Sequence, residues 1–191
     1  LISKSGAKLL KLFCVKTSLF NNNSLTQITY LYHTFVQISA TMSLIKSISG
    51  IRGTIGGKQG EALTPPDIVK FTMAFAHQRM LWTGKRSISV VSGRDARVSG
   101  EMVSRLVTGT LMAMGADVID CGLSTTPTVE MAVMEFRAEG GIILTASHNP
   151  AQWNALKLLD EKGEFLSGED GNEILEIADR GEAEFASYDK L

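Results

Sequence analysis

The stretch Thr145-Ala146-Ser147-His148-Asn149-Pro150 closes the apolar run Gly140-Gly141-Ile142-Ile143-Leu144, so a hydroxyl, an imidazole and an amide stand where a buried strand stops. A serine hydroxyl is a weak nucleophile until a base or a favourable charge activates it. His148 is adjacent, but consecutive side chains on extended backbone diverge, which argues against a relay between the two. No G-x-S-x-G elbow is present either, so a serine-triad hydrolase is excluded. Ser147 fits better as the carrier of a phosphoryl group, which is strongly anionic at neutral pH. A bound divalent cation would offset that charge, and Lys157 or Arg52 would stabilise the group in transfer. The competing reading keeps Ser147 and Asn149 as turn formers, with Pro150 ending the strand.

Three arginines offer themselves to an anion. Arg94 and Arg97, in Gly93-Arg94-Asp95-Ala96-Arg97, are able to grip phosphate through paired hydrogen bonds; their alternative use is pairing with Asp95 or another nearby acid. Arg52 lies between Gly50 and Gly53, where the backbone can approach a ligand closely. Neither G-x-x-x-x-G-K-[ST] nor G-x-G-x-x-G occurs, so both nucleotide fingerprints are absent.

The elements that must position these groups alternate. LIKSI (44–48) reads as a short strand running into a glycine-dense loop, Gly50 to Gly57. Thr64, Pro65 and Asp67 open a helix with Ile68, Phe71, Thr72 and Phe75 on one face, ending near Gly84. SISVVS (87–92), DVIDC (117–121) and GIILT (141–145) read as strands. Helices capped at Ser99 and opened by Thr126-Pro127 separate them. This order predicts an α/β domain with largely parallel pairing. NALKLL (154–159) returns from the Ser147 loop after a few residues, which favours an antiparallel neighbour and hence a mixed sheet. Glu169 to Arg180 reads as a last helix with Ile174, Leu175 and Ala178 inward. Ligands in such a sheet bind outside the carboxyl ends of the strands. That rule places the loops at 93–97, 122–126 and 145–150 on one rim, around an anionic, oxygen-rich ligand.

With 191 residues, 44% of them hydrophobic, the chain suits one globular domain. Its formal charge of −1 conceals an asymmetry. Residues 1–41 hold four lysines and no acid, whereas from Asp160 onward 11 acids face three bases. No basic stripe interleaved with aromatics marks a nucleic-acid footprint. No apolar run reaches the roughly 18 residues of a membrane span. Cys14 and Cys121 make no disulfide framework, which fits a reducing, cytoplasmic setting. Residues 1–41 lack a sustained period, and Met42 reads as the natural start, with 1–41 a leader of extraneous origin. An ordered extension or a weak targeting peptide are the alternatives.

TASHNPAQWNALK, residues 145–157, closely resembles the active-site signature of the α-D-phosphohexomutases, the phosphoglucomutase/phosphomannomutase superfamily: T-A-S-H-N-P followed by N-G-x-K. ISGIRGTIGG (48–57) is similar to that family's N-terminal G-I-R-G element, and SGRDARVSG (92–100) to its G-R-D-x-R-x-S-G segment. The three occur in family order, and the resemblance covers residues 42–191. It implies the first domain of such an enzyme, a three-layer α/β/α unit with a mixed, mostly parallel sheet. It further implies that Ser147 is the phosphorylated serine, that His148 and Lys157 assist acid–base chemistry or stabilise charge, and that Arg52 approaches the transferring group. Arg94 and Asp95 match supporting elements, Arg97 and Ser99 organise the loop, and Asn149 holds it in shape. Ala155 replaces the signature's glycine, which a backbone at negative φ accommodates.

The implied reaction interconverts hexose 1-phosphate and hexose 6-phosphate through phosphoserine and a bound hexose 1,6-bisphosphate. Magnesium would be held through the phosphate on Ser147. Its aspartate ligands belong to a D-G-D-x-D-R loop that these 191 residues lack. The chain is therefore expected to stop before domains II–IV and to have little mutase activity alone. Mannose or glucosamine phosphate are alternative substrates, although Ser47-Ile48-Ser49 in place of G-T-D before Gly50 points mildly away from glucosamine. A non-catalytic binding or structural remnant is the alternative of another class.

Overall fold

The computed structural model describes residues 43–47 and 50–190. The readings of residues 1–41 as a leader and of Met42 as a start fall outside them. Strand β1 (Ile45–Ser47) and β2 (Gly50–Thr54) precede α1 (Pro65–Thr83), β3 (Ser89–Arg94), α2 (Gly100–Ala113), β4 (Asp117–Leu123) and α3 (Thr126–Phe136). Then come β5 (Gly140–Leu144), β6 (Trp153–Leu159), α4 (Gly168–Arg180) and a 3₁₀ turn at Tyr188–Lys190. None of these helices is long and apolar enough to cross a membrane.

The signals at the two ends of α1 act as their chemistry requires. Asp67 accepts hydrogen bonds from both the backbone N–H and the hydroxyl of Thr64, closing the capping box. Gly84 ends α1 in the left-handed conformation. Ser99 stands at the head of α2, but its hydroxyl makes no cap; it accepts from Asn154 Nδ2 at 3.0 Å instead. In α4, Ile174, Ile177 and Ala178 are buried, and Leu175 packs at the margin of the same core.

The six strands lie in the order β1-β2-β6-β5-β3-β4. Only β3 pairs in parallel, with β4 and β5; β1 with β2, β2 with β6 and β6 with β5 are antiparallel. The expectation of a mostly parallel sheet is thus wrong: antiparallel pairings predominate. Its cause is the glycine-dense segment, read as a loop, whose first part is strand β2. Gly50 has φ +125°, and a Cβ there would stand 2.2 Å from the Leu156 carbonyl oxygen. The glycine therefore marks close approach of β2 to β6 rather than a loop. Short links on both sides of this pair permit only antiparallel returns. The return of β6 beside β5 matches the expectation from its short connection.

The two layers of helices are unequal. On one face α1, α2 and α4 bury Phe71, Phe75, Val103, Val107, Leu111 and Ile174 against Ile51, Val90, Ile142, Leu144, Leu156 and Leu158. On the other, α3 is the one helix among the described residues, and it sets Val129 and Val133 against Val91, Ile143 and Leu159. Lys157 shares that second face with Leu159 by strand alternation. Arg52 pairs in register with Ala155, two residues earlier in β6. Both cations thus lie where the α3 layer gives out.

At the opposite end of the sheet, Glu139 ties the entrance of β3 to that of β5. Its carboxylate accepts from Lys85 Nζ and, at 2.6 Å, from the Ser89 N–H. Burial pushes its pKa up, and these hydrogen bonds with the Lys85 charge outweigh it, leaving the carboxyl below its ordinary range. A depressed folded-state pKa contributes stability that is complete above the unfolded value and is lost as pH falls through the folded one. Glu139→Gln is expected to cost about 1 kcal/mol at pH 7 and to weaken the acid-side loss of stability, measured by urea unfolding between pH 7 and pH 3.

Candidate active site

Ser147 is displayed by a lattice that begins in strand order. Because β3 and β5 run parallel and adjacent, their following loops share a rim. Asp95 N–H donates to the Leu144 carbonyl at 3.1 Å, joining the two exits. Thr145 Oγ1 donates to Asp95 Oδ2 at 2.6 Å and accepts from the Ser147 N–H at 3.1 Å. Thr145 and Ala146 remain buried, whereas Ser147 and His148 are exposed. Ser147 has φ +52°, a left-handed conformation unusual outside glycine.

Arg97 holds the loop in that shape. Its Nη1 donates to the carbonyls of Pro150 at 2.8 Å and Trp153 at 3.0 Å. Its Nη2 donates to those of Ser147 at 2.8 Å and Asn149 at 2.9 Å. Its Nε donates to Asp95 Oδ2 at 3.1 Å, while its own backbone N–H reaches Asp95 Oδ1 at 3.0 Å. Asn149 N–H donates to the Ala146 carbonyl at 3.0 Å and closes the turn.

The hydroxyl itself meets Lys157. Lys157 Nζ donates to Ser147 Oγ at 2.8 Å, across the antiparallel return that sets Lys157 opposite Ile143. A hollow of about 200 Å³ opens here, lined by Arg52, Ser147, His148, Asn149, Lys157 and Phe165 among others. Among the described residues two cations and an imidazole line it, and no carboxylate does. Such a lining suits a dianion.

Not all the expected residues converge. Arg94 pairs with Glu101 at 2.8 Å and lines a neighbouring groove with Arg105 and Asp120. Glu101 is held below the ordinary carboxylate range, by Arg105 first and Arg94 second. Of the three rim loops, those after β3 and β5 build the site. The one after β4 stays out of the hollow and donates Ser124 N–H to the Arg94 carbonyl at 3.0 Å. Ala155 lies within β6 at a φ that is not positive, so its methyl replaces the signature's glycine without strain. Sequence reasoning missed the bridging role of Thr145, the Asn154–Ser99 contact and Phe165. A threonine two residues before an exposed serine was the only available sign of the first.

The donors present do not make a magnesium site. Ser147 offers one oxygen, and Asp95 is engaged by Arg97 and Thr145. Among the described residues no cluster of three or more His, Cys, Asp or Glu side chains could hold a metal ion.

Residues 44–185 match the model of the family described as phosphoglucomutase/phosphomannomutase, alpha/beta/alpha domain I, and the chain belongs to that family. It is 42% identical over 119 residues to a phosphoglucomutase/phosphomannomutase of Thermococcus kodakarensis, covering 61% of this chain and 26% of that one. It is 34% identical over 136 residues to a phosphoglucosamine/phosphogalactosamine mutase of Sulfurisphaera tokodaii, covering 71% and 28%. A crystal structure of a phosphoglucomutase/phosphomannomutase family protein from Burkholderia thailandensis superposes with a TM-score of 0.61 at 24% identity, covering 75% of this chain and 32% of that one; it shows the shared fold. The chain thus spans about a quarter to a third of the length of these relatives.

Two substitutions test the lattice. Arg97→Ala removes one donor from each of four carbonyls and from the Asp95 carboxylate and is expected to cost about 2–3 kcal/mol in urea unfolding; Arg97→Lys recovers less than half, because one ammonium cannot span the five acceptors. Ser147→Gly is expected to be more stable than Ser147→Ala by about 1 kcal/mol in the same measurement, since only glycine takes the left-handed backbone freely.

Proposed function

We propose that this chain is the phosphoserine domain of a phosphohexomutase, an intramolecular phosphotransferase that interconverts hexose 1-phosphate and hexose 6-phosphate. The observation that carries the reading is Lys157 Nζ at 2.8 Å from Ser147 Oγ, in a hollow that no carboxylate lines among the described residues. In the first transfer the bond from phosphorus to Ser147 Oγ breaks and a bond from phosphorus to the sugar hydroxyl oxygen forms. The sugar hydroxyl gives up its proton to a base, for which His148 is the candidate in the hollow. Lys157 stabilises the charge that develops on the departing seryl oxygen. Arg52 faces the equatorial oxygens of the group in flight. The second transfer reverses these roles from the other phosphate of a hexose 1,6-bisphosphate, returning the phosphoryl group to Ser147.

Asp95, Arg97 and Asn149 act one step back, by holding the serine at its exposed place, and Arg94 buttresses the same rim through Glu101. A magnesium ion, associated with this chemistry in the family, would neutralise the seryl phosphate and would need carboxylates beyond the residues described here. The remaining walls of the cleft, including those that select glucose, mannose or glucosamine, would come from sequence corresponding to the rest of the relatives' length.

The test is phosphoryl capture. Incubated with glucose 1,6-bisphosphate, the chain is expected to gain one phosphoryl group, mapped to Ser147 by mass spectrometry of peptides. Ser147→Ala abolishes the gain, and Lys157→Ala slows it by about 10²-fold. Capture at another residue, or none at all, would sink the proposal.

A further inference from the structure

The turn after β6 brings a large apolar side chain back to a polar hollow. Phe165 lines it beside Lys157 and is 42% exposed. Its backbone is fixed from several sides. Asp160 accepts from the N–H groups of Lys162 and Glu164, each at 2.9 Å. Gly163 turns with φ +74°, and a Cβ there would stand 2.4 Å from the Glu130 carbonyl oxygen of α3. Leu159 pairs with Phe165 in an antiparallel bridge, and Leu166 N–H donates to the Leu158 carbonyl at 3.2 Å. The ring is therefore presented by a built turn, not by a loose loop.

What it meets is the ammonium that touches the serine. Lys157 Nζ lies 5.6 Å from the centroid of the Phe165 ring. A cation within about 6 Å of an aromatic face is attracted by the ring quadrupole. Lysine carries its charge on a flexible four-carbon stem, and the described residues of the hollow supply no carboxylate to fix it. Arg52, in the same hollow, repels it. An ammonium so placed tends toward open solvent unless something holds it.

We propose that Phe165 is a positioning residue, whose ring holds the Lys157 ammonium against Ser147 Oγ and so prepares the hollow for a phosphoryl dianion. The proposal rests on Ser147 as the phosphoryl carrier, and it adds a residue outside the three sequence motifs.

Two measurements on the 191-residue chain test it. In the first, the Lys157 side-chain ammonium is observed by ¹⁵N-correlated NMR without ligand. A resolved signal, slow in exchange with water, is expected for the parent chain and for Phe165→Tyr; Phe165→Ala and Phe165→Leu lose it. In the second, inorganic phosphate is titrated. Its Kd is expected to rise about two- to fivefold in the Ala and Leu variants and to stay unchanged in Tyr. Thermal unfolding of each variant reports the fold separately. An unresolved ammonium in the parent chain overturns the proposal, as does an Ala variant equal to the parent. A Leu variant equal to the parent also overturns it, because bulk would then suffice. If the ammonium pattern holds while no form binds phosphate, the positioning role stands and the phosphoryl-carrier reading of Ser147 falls.

Discussion

One guanidinium determines how the serine is shown. Arg97 leaves the loop after β3 and places its donors on three carbonyls of the loop after β5, on that of Trp153 at the start of β6 and on Asp95. A planar fork of five N–H groups is the side chain able to span that many acceptors at once. Without it, the carbonyls of Ser147 and Asn149 would lose the donor that Arg97 supplies, and the left-handed backbone of Ser147 would rest on Thr145 and the Asn149 turn alone. Because the fork is committed to backbone, Arg97 has little left for a phosphate, and the gripping role open to it from sequence gives way to a structural one.

The electrostatics of the hollow follow from the same arrangement. The acids that follow β3 in sequence are engaged elsewhere: Asp95 with Arg97 and Thr145, Glu101 with Arg94 and Arg105. The cations of β2 and β6 remain. The chain as a whole is close to neutral, at −1, yet this one concavity is positive. Like charges held together raise the energy of the empty site, and an incoming dianion relieves it.

The nearness of Lys157 to Ser147 was legible, because ten residues and an antiparallel return join them, whereas Arg97 reaches the serine loop from fifty residues away through the parallel pairing of β3 and β5. The helices were legible too, through Thr64 with Asp67 and through Gly84. What misled was glycine: Gly50-Ile51-Arg52-Gly53 has the composition of a loop but the geometry of a strand pressed against Leu156. That single misreading carried the sheet with it, since β2 is what makes antiparallel pairing predominate. Arg94 was grouped with the phosphate site by its neighbours in sequence, whereas a partner seven residues away, Glu101, holds its side chain. Phe165 left no trace in any pattern, for its position depends on a turn set against α3.

The unequal covering of the sheet has a spatial corollary. With α3 the sole helix on its side among the described residues, β2 and β6 turn Arg52 and Lys157 toward the hollow, where the seryl oxygen meets the ammonium. A dianion drawn to these two cations would approach across the plane of the strands, and its arrival would need no displacement of the packed layers beneath.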